Sequence, residues 1–426
     1  MRILSAALFV AVPLIAPAAS TPLKFDFASG NLAPGYRHVT PDTPYSKDRG
    51  FGFEPDATVR ATAAGVTSDR PFNFSAAVPV EGNYRVTVRF APGADATVKA
   101  ELRRLMVERV QAPANASVTR TFIVNTRTPK IAAIGDIKDG IVRLKAPRET
   151  TQEAWAWDDL LTLEFNGARP IVSAIEIEPV DVPTIFLIGD STVCDQSKEP
   201  YNSWGQMFTR WFKPEVAIAN HGESGETYRD SIGRRRLDKM LSVMKPGDWM
   251  LMQFGHNDQK QIAANTGGPF TTYKAEIKQH IDAVRALGGT PVIVSPMERR
   301  GFDEAGKVRP SLTDYAEASR QAAKELGVAF IDLNAMSKPL YEALGVEQSA
   351  LAFAAPGGRV DNTHHNNYGS YQLAKCIVQS IRDQKLPIAK FIVDDFKAYD
   401  PAHPDHPETF AVPASGDFTN QRPLGD

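Results

Sequence analysis

The chain has 426 residues, 42% of them hydrophobic and 23% charged, with a formal net charge of −2. That length supports two or three domains, each with a substantial core. The near balance of charge removes any electrostatic reason to expect nucleic acid or an anionic membrane surface as a partner. The only two cysteines, Cys194 and Cys376, form no disulfide framework, their pairing is left open, and no Cys/His spacing resembles a zinc site.

Residues 1–20, "MRILSAALFVAVPLIAPAAS", place Arg2 before an apolar stretch and then small residues suited to cleavage. This layout predicts a signal peptide and an exported protein, periplasmic or extracellular. The apolar part is too short and too interrupted by proline for a comfortable span, so no stable membrane insertion is expected.

From 21 to 180 the chain alternates with the period of strands. In "YRVTVRF", Tyr84, Val86, Val88 and Phe90 face one way and Arg85, Thr87 and Arg89 the other; Leu161, Leu163 and Phe165 repeat the pattern, as do Ile175 and Ile177. Half-buried antiparallel strands separated by turn-rich segments predict a β-sandwich domain over 21–180. "PVDVP" (179–183) reads as a short, stiff junction.

From 184 to 397 the texture changes. Apolar runs of strand length, "TIFLIGD", "EVAIANHG", "DWMLMQFGHND", "TPVIVSP" and "VAFIDLN", alternate with amphipathic stretches such as "YKAEIKQHIDAVRAL". Continuous apolar strands between helices predict an α/β domain, a parallel sheet covered on both faces in a doubly wound, flavodoxin-like order. The segment 398–426, rich in Pro, Asp and His, reads as an irregular surface tail. His403 and His406 within it are expected to be solvated rather than metal ligands.

In an open parallel sheet, ligands bind outside the carboxyl ends of the strands. The residues that follow the apolar runs there are Gly189-Asp190-Ser191, "NHGESGETYRDS" with Gly222 and Gly225, "GHND" with Asn257, and "DNTHHNNYGS" with Asp361 and His364. Singly, these read as a turn, a cap or a local hydrogen bond. Jointly, one hydroxyl, one Asp-oriented His and several donors fall on one face of the sheet. A serine hydroxyl is a weak nucleophile until a positioned base takes its proton, and that base needs a carboxylate to hold its tautomer. A glycine at 222 lets a backbone N–H approach a developing oxyanion, and the Asn257 amide adds a donor worth about 10²–10³ in rate.

These four blocks resemble those of the SGNH (GDSL-like) hydrolases. The resemblance implies a three-layer domain over 184–397 in which Ser191 is the nucleophile, His364 the base and Asp361 its orienter. It also implies an oxyanion hole built from Ser191, Gly222 and Asn257, with no metal and no organic cofactor. "GDSTV", "WGQMF", "FGHND" and "DNTHHNNYG" are similar to the rhamnogalacturonan acetylesterase subgroup, which implies acetylated pectic polysaccharide or oligosaccharide as substrate. "FDFASGNLAPGYRHVTPDTPYSKDRGFGFEP" resembles the galactose-binding-like β-sandwich often attached to bacterial members. One departure is Gly-Glu-Ser-Gly at 222–225, where relatives often read Gly-Arg-Ser; Glu223 leaves the preference for uronates open.

Neighbouring residues have structural readings. Family spacing selects His364 over His365 as the base. His256 is expected to brace the Asn257 loop, Asp190 to hold the turn, Trp204 to pack beneath the site and Cys194 to fill space. Two rival functions remain: an SGNH esterase or lipase acting on another acylated substrate such as acetylated xylan, and a non-catalytic carbohydrate-binding protein. Oligomeric state is not legible in the sequence.

Overall fold

The strand Thr184–Gly189, "TIFLIG", is apolar throughout, and its alternate side chains serve two different cores. Ile185 and Leu187 enter one buried cluster, Phe186 and Ile188 another. A strand with two faces to bury belongs inside a sheet covered on both sides, and the computed structural model, which describes residues 21–416 except 31, 56 and 57, has that sheet. Five parallel strands run in the order Ala217–Asn220, Thr184–Gly189, Trp249–Gln253, Thr290–Val294, Ala329–Ile331. The first strand thus lies between the second and third, as the flavodoxin-like expectation requires. Helices over Trp204–Phe208, Leu333–Gln348 and Asn367–Asp383 supply Trp204, Leu340 and Ile377 to the first cluster. Helices over Arg236–Val243, Lys274–Ala286 and Thr313–Leu326 supply Met240, Ile281 and Ala318 to the second. The result is three layers. Because the strands are parallel, the loops after Gly189, Asn220 and Gln253 open on the same edge.

The amino-terminal part is built from two five-membered runs of mostly antiparallel strands. One runs Val118–Thr126, Gly82–Phe90, Val172–Pro179, Leu23–Asp26, Arg37–His38; the other runs Phe51–Phe53, Phe72–Ala77, Leu160–Arg169, Asp95–Ala100, Arg104–Gln111. Tyr84, Val86, Val88 and Phe90 of the first meet Phe74, Val98, Leu163 and Phe165 of the second in one buried cluster. The alternation in "YRVTVRF" therefore reports burial as expected.

The strand Leu160–Arg169 departs from the half-buried expectation, since Thr162, Glu164 and Asn166 on its other face are buried too. Thr162 Oγ1 is paired with Ser75 Oγ at 2.9 Å, and around Glu164 and Asn166 the cover is the chain's own tail. Asn166 donates to the Ala414 carbonyl at 2.7 Å, and Lys99 Nζ, 3.6 Å from Glu164, donates to the Pro413 carbonyl at 2.8 Å and to Ser415 Oγ at 2.7 Å. The expected surface tail is thus corrected over 412–415, where Val412 and Ser415 are buried against the sheet. Polar side chains on a strand are compatible with burial wherever a polar partner covers them. Cys194 and Cys376 are both buried and unpaired. The expected signal peptide at 1–20, and 417–426, lie outside the described residues. Among the described residues no helix is long and apolar enough to cross a membrane.

Candidate active site

The first strand has to stop abruptly for Ser191 to stand at the edge. A Cβ on Gly189 would lie 2.4 Å from the Gln253 carbonyl oxygen and 2.4 Å from Val193, so only glycine lets the chain turn so close to the neighbouring strand. Asp190 then closes the turn. Its carbonyl accepts from the Val193 and Cys194 N–H groups, each at 3.0 Å, and its Oδ1 accepts from the Thr192 N–H at 2.9 Å and from Thr192 Oγ1 at 2.8 Å. Burial would raise the Asp190 carboxyl, but His256 at 3.3 Å and the Thr192 donors outweigh it and hold it below the usual carboxylate range. His256 links the third loop to the first in this way, and Trp204, wholly buried, donates to Gln253 Oε1 at 2.7 Å beneath them.

Ser191 ends up 7% exposed, with its Oγ 2.8 Å from His364 Nε2 although the two residues are 173 apart in sequence. His364 Nδ1 lies 2.8 Å from Asp361 Oδ2. Asp361 Oδ1 accepts from the N–H groups of Thr363 (2.7 Å) and His364 (3.0 Å). Burial pushes the Asp361 carboxyl up, and these bonds more than reverse it, so it sits below its ordinary value. An ionised carboxylate only accepts, which requires the proton on Nδ1 and leaves Nε2 to accept from Ser191. His365 points elsewhere: it is buried, Tyr341 Oη lies 2.8 Å from its Nε2, and burial drives it down to about 3.

The expected oxyanion donors are differently placed. Among the described residues the Ser191 N–H has no hydrogen-bond partner. Asn257 Nδ2 spends one hydrogen on the Glu226 carbonyl at 3.1 Å while Lys260 holds its Oδ1 at 2.8 Å, which orients the amide and leaves its second hydrogen. The Gly222 N–H is directed to Asn220 Oδ1 at 3.1 Å, so it is shared rather than open. A Cβ on Gly222 would come within 2.9 Å of the Cys194 nitrogen; the second loop therefore lies directly against the serine turn, which the Glu223 N–H to Gly189 carbonyl bond (2.9 Å) reinforces.

Several contributors were not singled out in the sequence. Gln196 Nε2 donates to the Ser191 carbonyl at 2.7 Å, and the Tyr201 ring stands edge-on to His364 with centroids 5.8 Å apart. Both lie in "DQSKEPYN", whose only signal was that it follows the first block. From the amino-terminal part, Arg148 NH1 reaches Glu223 (3.2 Å) and the Ser224 carbonyl (3.2 Å), and Lys145 reaches Glu226 (2.7 Å) and the same carbonyl (2.6 Å). Glu149, Glu153 and Glu223 form a buried carboxylate trio. Glu149 is met by Arg236 and by the Trp157 N–H (3.0 Å), while burial, and then Glu223 beside it, pushes Glu153 up to about 9, so that it holds a proton.

Comparison with known proteins adds to this geometry. Residues 187–370 match the GDSL-like Lipase/Acylhydrolase family. The rhamnogalacturonan acetylesterase RhgT of Bacillus subtilis (strain 168) is 36% identical over 220 residues, 49% of this chain and 94% of that protein. The uncharacterized esterase YxiM of the same organism is 28% identical over 388 residues, 85% of this chain and 91% of that protein. The crystal structure of Bacillus subtilis YxiM aligns with a TM-score of 0.47 at 23% identity, covering 86% of this chain and 99% of that one.

Proposed function

This chain belongs to the GDSL-like lipase/acylhydrolase family of carboxylic-ester hydrolases, and on that premise we propose that it removes acetyl groups from pectic rhamnogalacturonan through Ser191, His364 and Asp361. The observation that carries the proposal is the continuous hydrogen-bond chain Ser191–His364–Asp361, with both links at 2.8 Å.

In the proposed reaction His364 Nε2 takes the Ser191 proton as Oγ attacks the acetyl carbonyl. The Ser191 N–H and Asn257 Nδ2 receive the oxyanion, joined by the Gly222 N–H that Asn220 shares. His364 then protonates the departing sugar oxygen, leaving an acetyl-enzyme. Water, deprotonated by the same imidazole, hydrolyses that ester and restores Ser191. Asp361 stays ionised throughout and stabilises the imidazolium.

The substrate assignment draws support from the resemblance to the Bacillus acetylesterase and from charge. Glu223 withholds a cation from the second block, and Arg148, its side chain 44% exposed, stands on that glutamate from the amino-terminal part. A guanidinium fork suits the carboxylate of a galacturonate unit. The same reading treats 21–180 as a galactose-binding-like β-sandwich domain packed on the esterase domain at 184–397, in an exported protein whose substrate lies outside the cell.

The test is acetate release from acetylated rhamnogalacturonan, acetylated xylan and a long-chain ester, for the wild-type protein and Ser191→Ala. Fast release from the pectic substrate that disappears in Ser191→Ala is the expected result. Ser191-dependent release from xylan or the long-chain ester alone would overturn the substrate. Release that survives in Ser191→Ala would overturn the mechanism.

A further inference from the structure

One arginine of the amino-terminal part is buried inside the catalytic loops. Arg103 lies in the turn between the strands Asp95–Ala100 and Arg104–Gln111, at φ +62°, a left-handed conformation that disfavours any residue but glycine. It is 1% exposed. A permanent charge stripped of water needs compensation, and although Nε has no hydrogen-bond partner among the described residues, the partners of NH1 and NH2 all come from the other half of the chain. NH1 donates to the carbonyls of Gln196 (3.0 Å) and Tyr201 (2.8 Å), NH2 donates to Asn367 Oδ1 (3.2 Å), and Glu199 supplies the counter-charge.

These partners lie in the loop 196–202 or at the start of the helix after His364, and that loop touches both reacting residues. Gln196 holds the Ser191 carbonyl at 2.7 Å, and Tyr201 packs on the His364 ring. Asn202 donates its N–H to the His365 carbonyl (2.8 Å) and its Nδ2 to Asn367 Oδ1 (2.9 Å). The loop has almost no regular secondary structure of its own, so inward-facing carbonyls need donors from elsewhere. A planar fork with five donors can serve two carbonyls, an amide oxygen and the Glu199 carboxylate at once; the three donors of a lysine cannot meet all four.

We infer that Arg103 is a positioning residue of the active site: reaching in from the amino-terminal part, it fixes the loop 196–202 and through it the Ser191–His364 separation. The inference rests on the catalytic reading of Ser191 and His364 given above. It makes the amino-terminal part a working wall of the site rather than an appended module. An arginine that only glued two halves together would, when lost, lower the melting temperature and leave turnover by the folded protein unchanged. A positioning arginine lowers kcat itself, because misplacement by about 1 Å can cost about 10²-fold.

The experiment compares full-length Arg103→Met, Arg103→Lys, Gln196→Ala and the double variant Arg103→Met/Gln196→Ala on p-nitrophenyl acetate, with active-site titration and melting curves. Ser191→Ala runs alongside. Arg103→Met should lower kcat by about 10²-fold with KM little changed, Arg103→Lys should recover part of the loss, and Gln196→Ala should lower kcat by about 10-fold. The double variant should be no worse than Arg103→Met, since both changes act through one loop. Near-normal kcat in folded Arg103→Met, or losses that simply multiply in the double variant, would overturn the inference. Should Arg103→Met not fold, Gln196→Ala decides: a lowered kcat at unchanged KM supports the inference and a normal kcat overturns it. If turnover survives in Ser191→Ala, the catalytic reading itself fails, and that outcome is distinct from a normal Arg103 variant beside an inactive Ser191→Ala.

Discussion

Replacing Asp361 by asparagine isolates what its carboxylate contributes. Asp361 meets three donors: Oδ1 takes the N–H groups of Thr363 and His364, and Oδ2 takes His364 Nδ1. An asparagine has one accepting atom and must choose between two orientations. With Nδ2 toward the backbone donors it forfeits two charge-assisted bonds, a loss of about 3–6 kcal/mol at about 1.5–3 each. With Nδ2 toward the imidazole it forfeits one, so the second orientation wins. That orientation forces Nδ1 to accept, which places the imidazole proton on Nε2, facing Ser191 Oγ. The base can then no longer take the serine proton. The same exchange in a serine protease triad costs about 10⁴ in kcat, or about 5.5 kcal/mol of barrier. Asp361 is 26% exposed here, and water can restore part of the accepting capacity, so a loss of about 10³–10⁴-fold is expected. The assay is steady-state turnover of p-nitrophenyl acetate with a melting curve, and KM should stay close to wild type. A folded Asp361→Asn protein keeping more than about a tenth of kcat would refute the tautomer argument.

Three further outcomes are expected. Glu153→Gln tests the buried carboxyl pair. The folded-state value of Glu153, about 9, lies above its unfolded value, so the folded protein keeps a proton that the unfolded chain releases, and this group's contribution to stability falls as pH rises from the ordinary carboxylate range to about 9. Glutamine does not titrate, so the unfolding free energy of Glu153→Gln relative to wild type, read from denaturation curves, should rise between pH 5 and 9, by up to about 1.4 kcal/mol per pH unit; a difference independent of pH would contradict the assignment. Gly222→Ala brings a Cβ within 2.9 Å of the Cys194 nitrogen and 3.0 Å of its Cα, both backbone atoms, so the second loop must move off the serine turn; kcat should drop by about 10²-fold, as read by single-turnover acetylation. Arg148→Ala should lower the ratio of kcat/KM on galacturonate-containing acetyl esters to that on neutral ones by about 10-fold, and an unchanged ratio would remove Arg148 from substrate recognition.

How much of this was legible in the sequence depends on the range of the interactions involved. The five apolar runs and the amphipathic stretch at Lys274–Ala286 specify a parallel sheet with helices on both faces, because burial on two faces and a 3.6-residue stripe are written in consecutive residues. The placement of Ser191, Gly222, Asn257 and the Asp361–His364 pair at one edge was readable for a related reason: each follows a strand or precedes a helix, and parallel strands bring such loops to one edge. Asp361 and His364 even meet within a single loop. What depended on contacts between distant segments was invisible. The Gly222 N–H turned out to be shared with Asn220, and residues 413–415 cover Asn166 and the Lys99–Glu164 pair on the outer face of Leu160–Arg169. Arg103, in "ELRRLMVERV", carries no local signal of its role, yet its guanidinium is buried against Gln196, Tyr201 and Asn367. Local pattern records which residues want burial and which can turn; only the folded chain decides which carbonyl a buried charge finds, because that choice is made by groups up to hundreds of residues away.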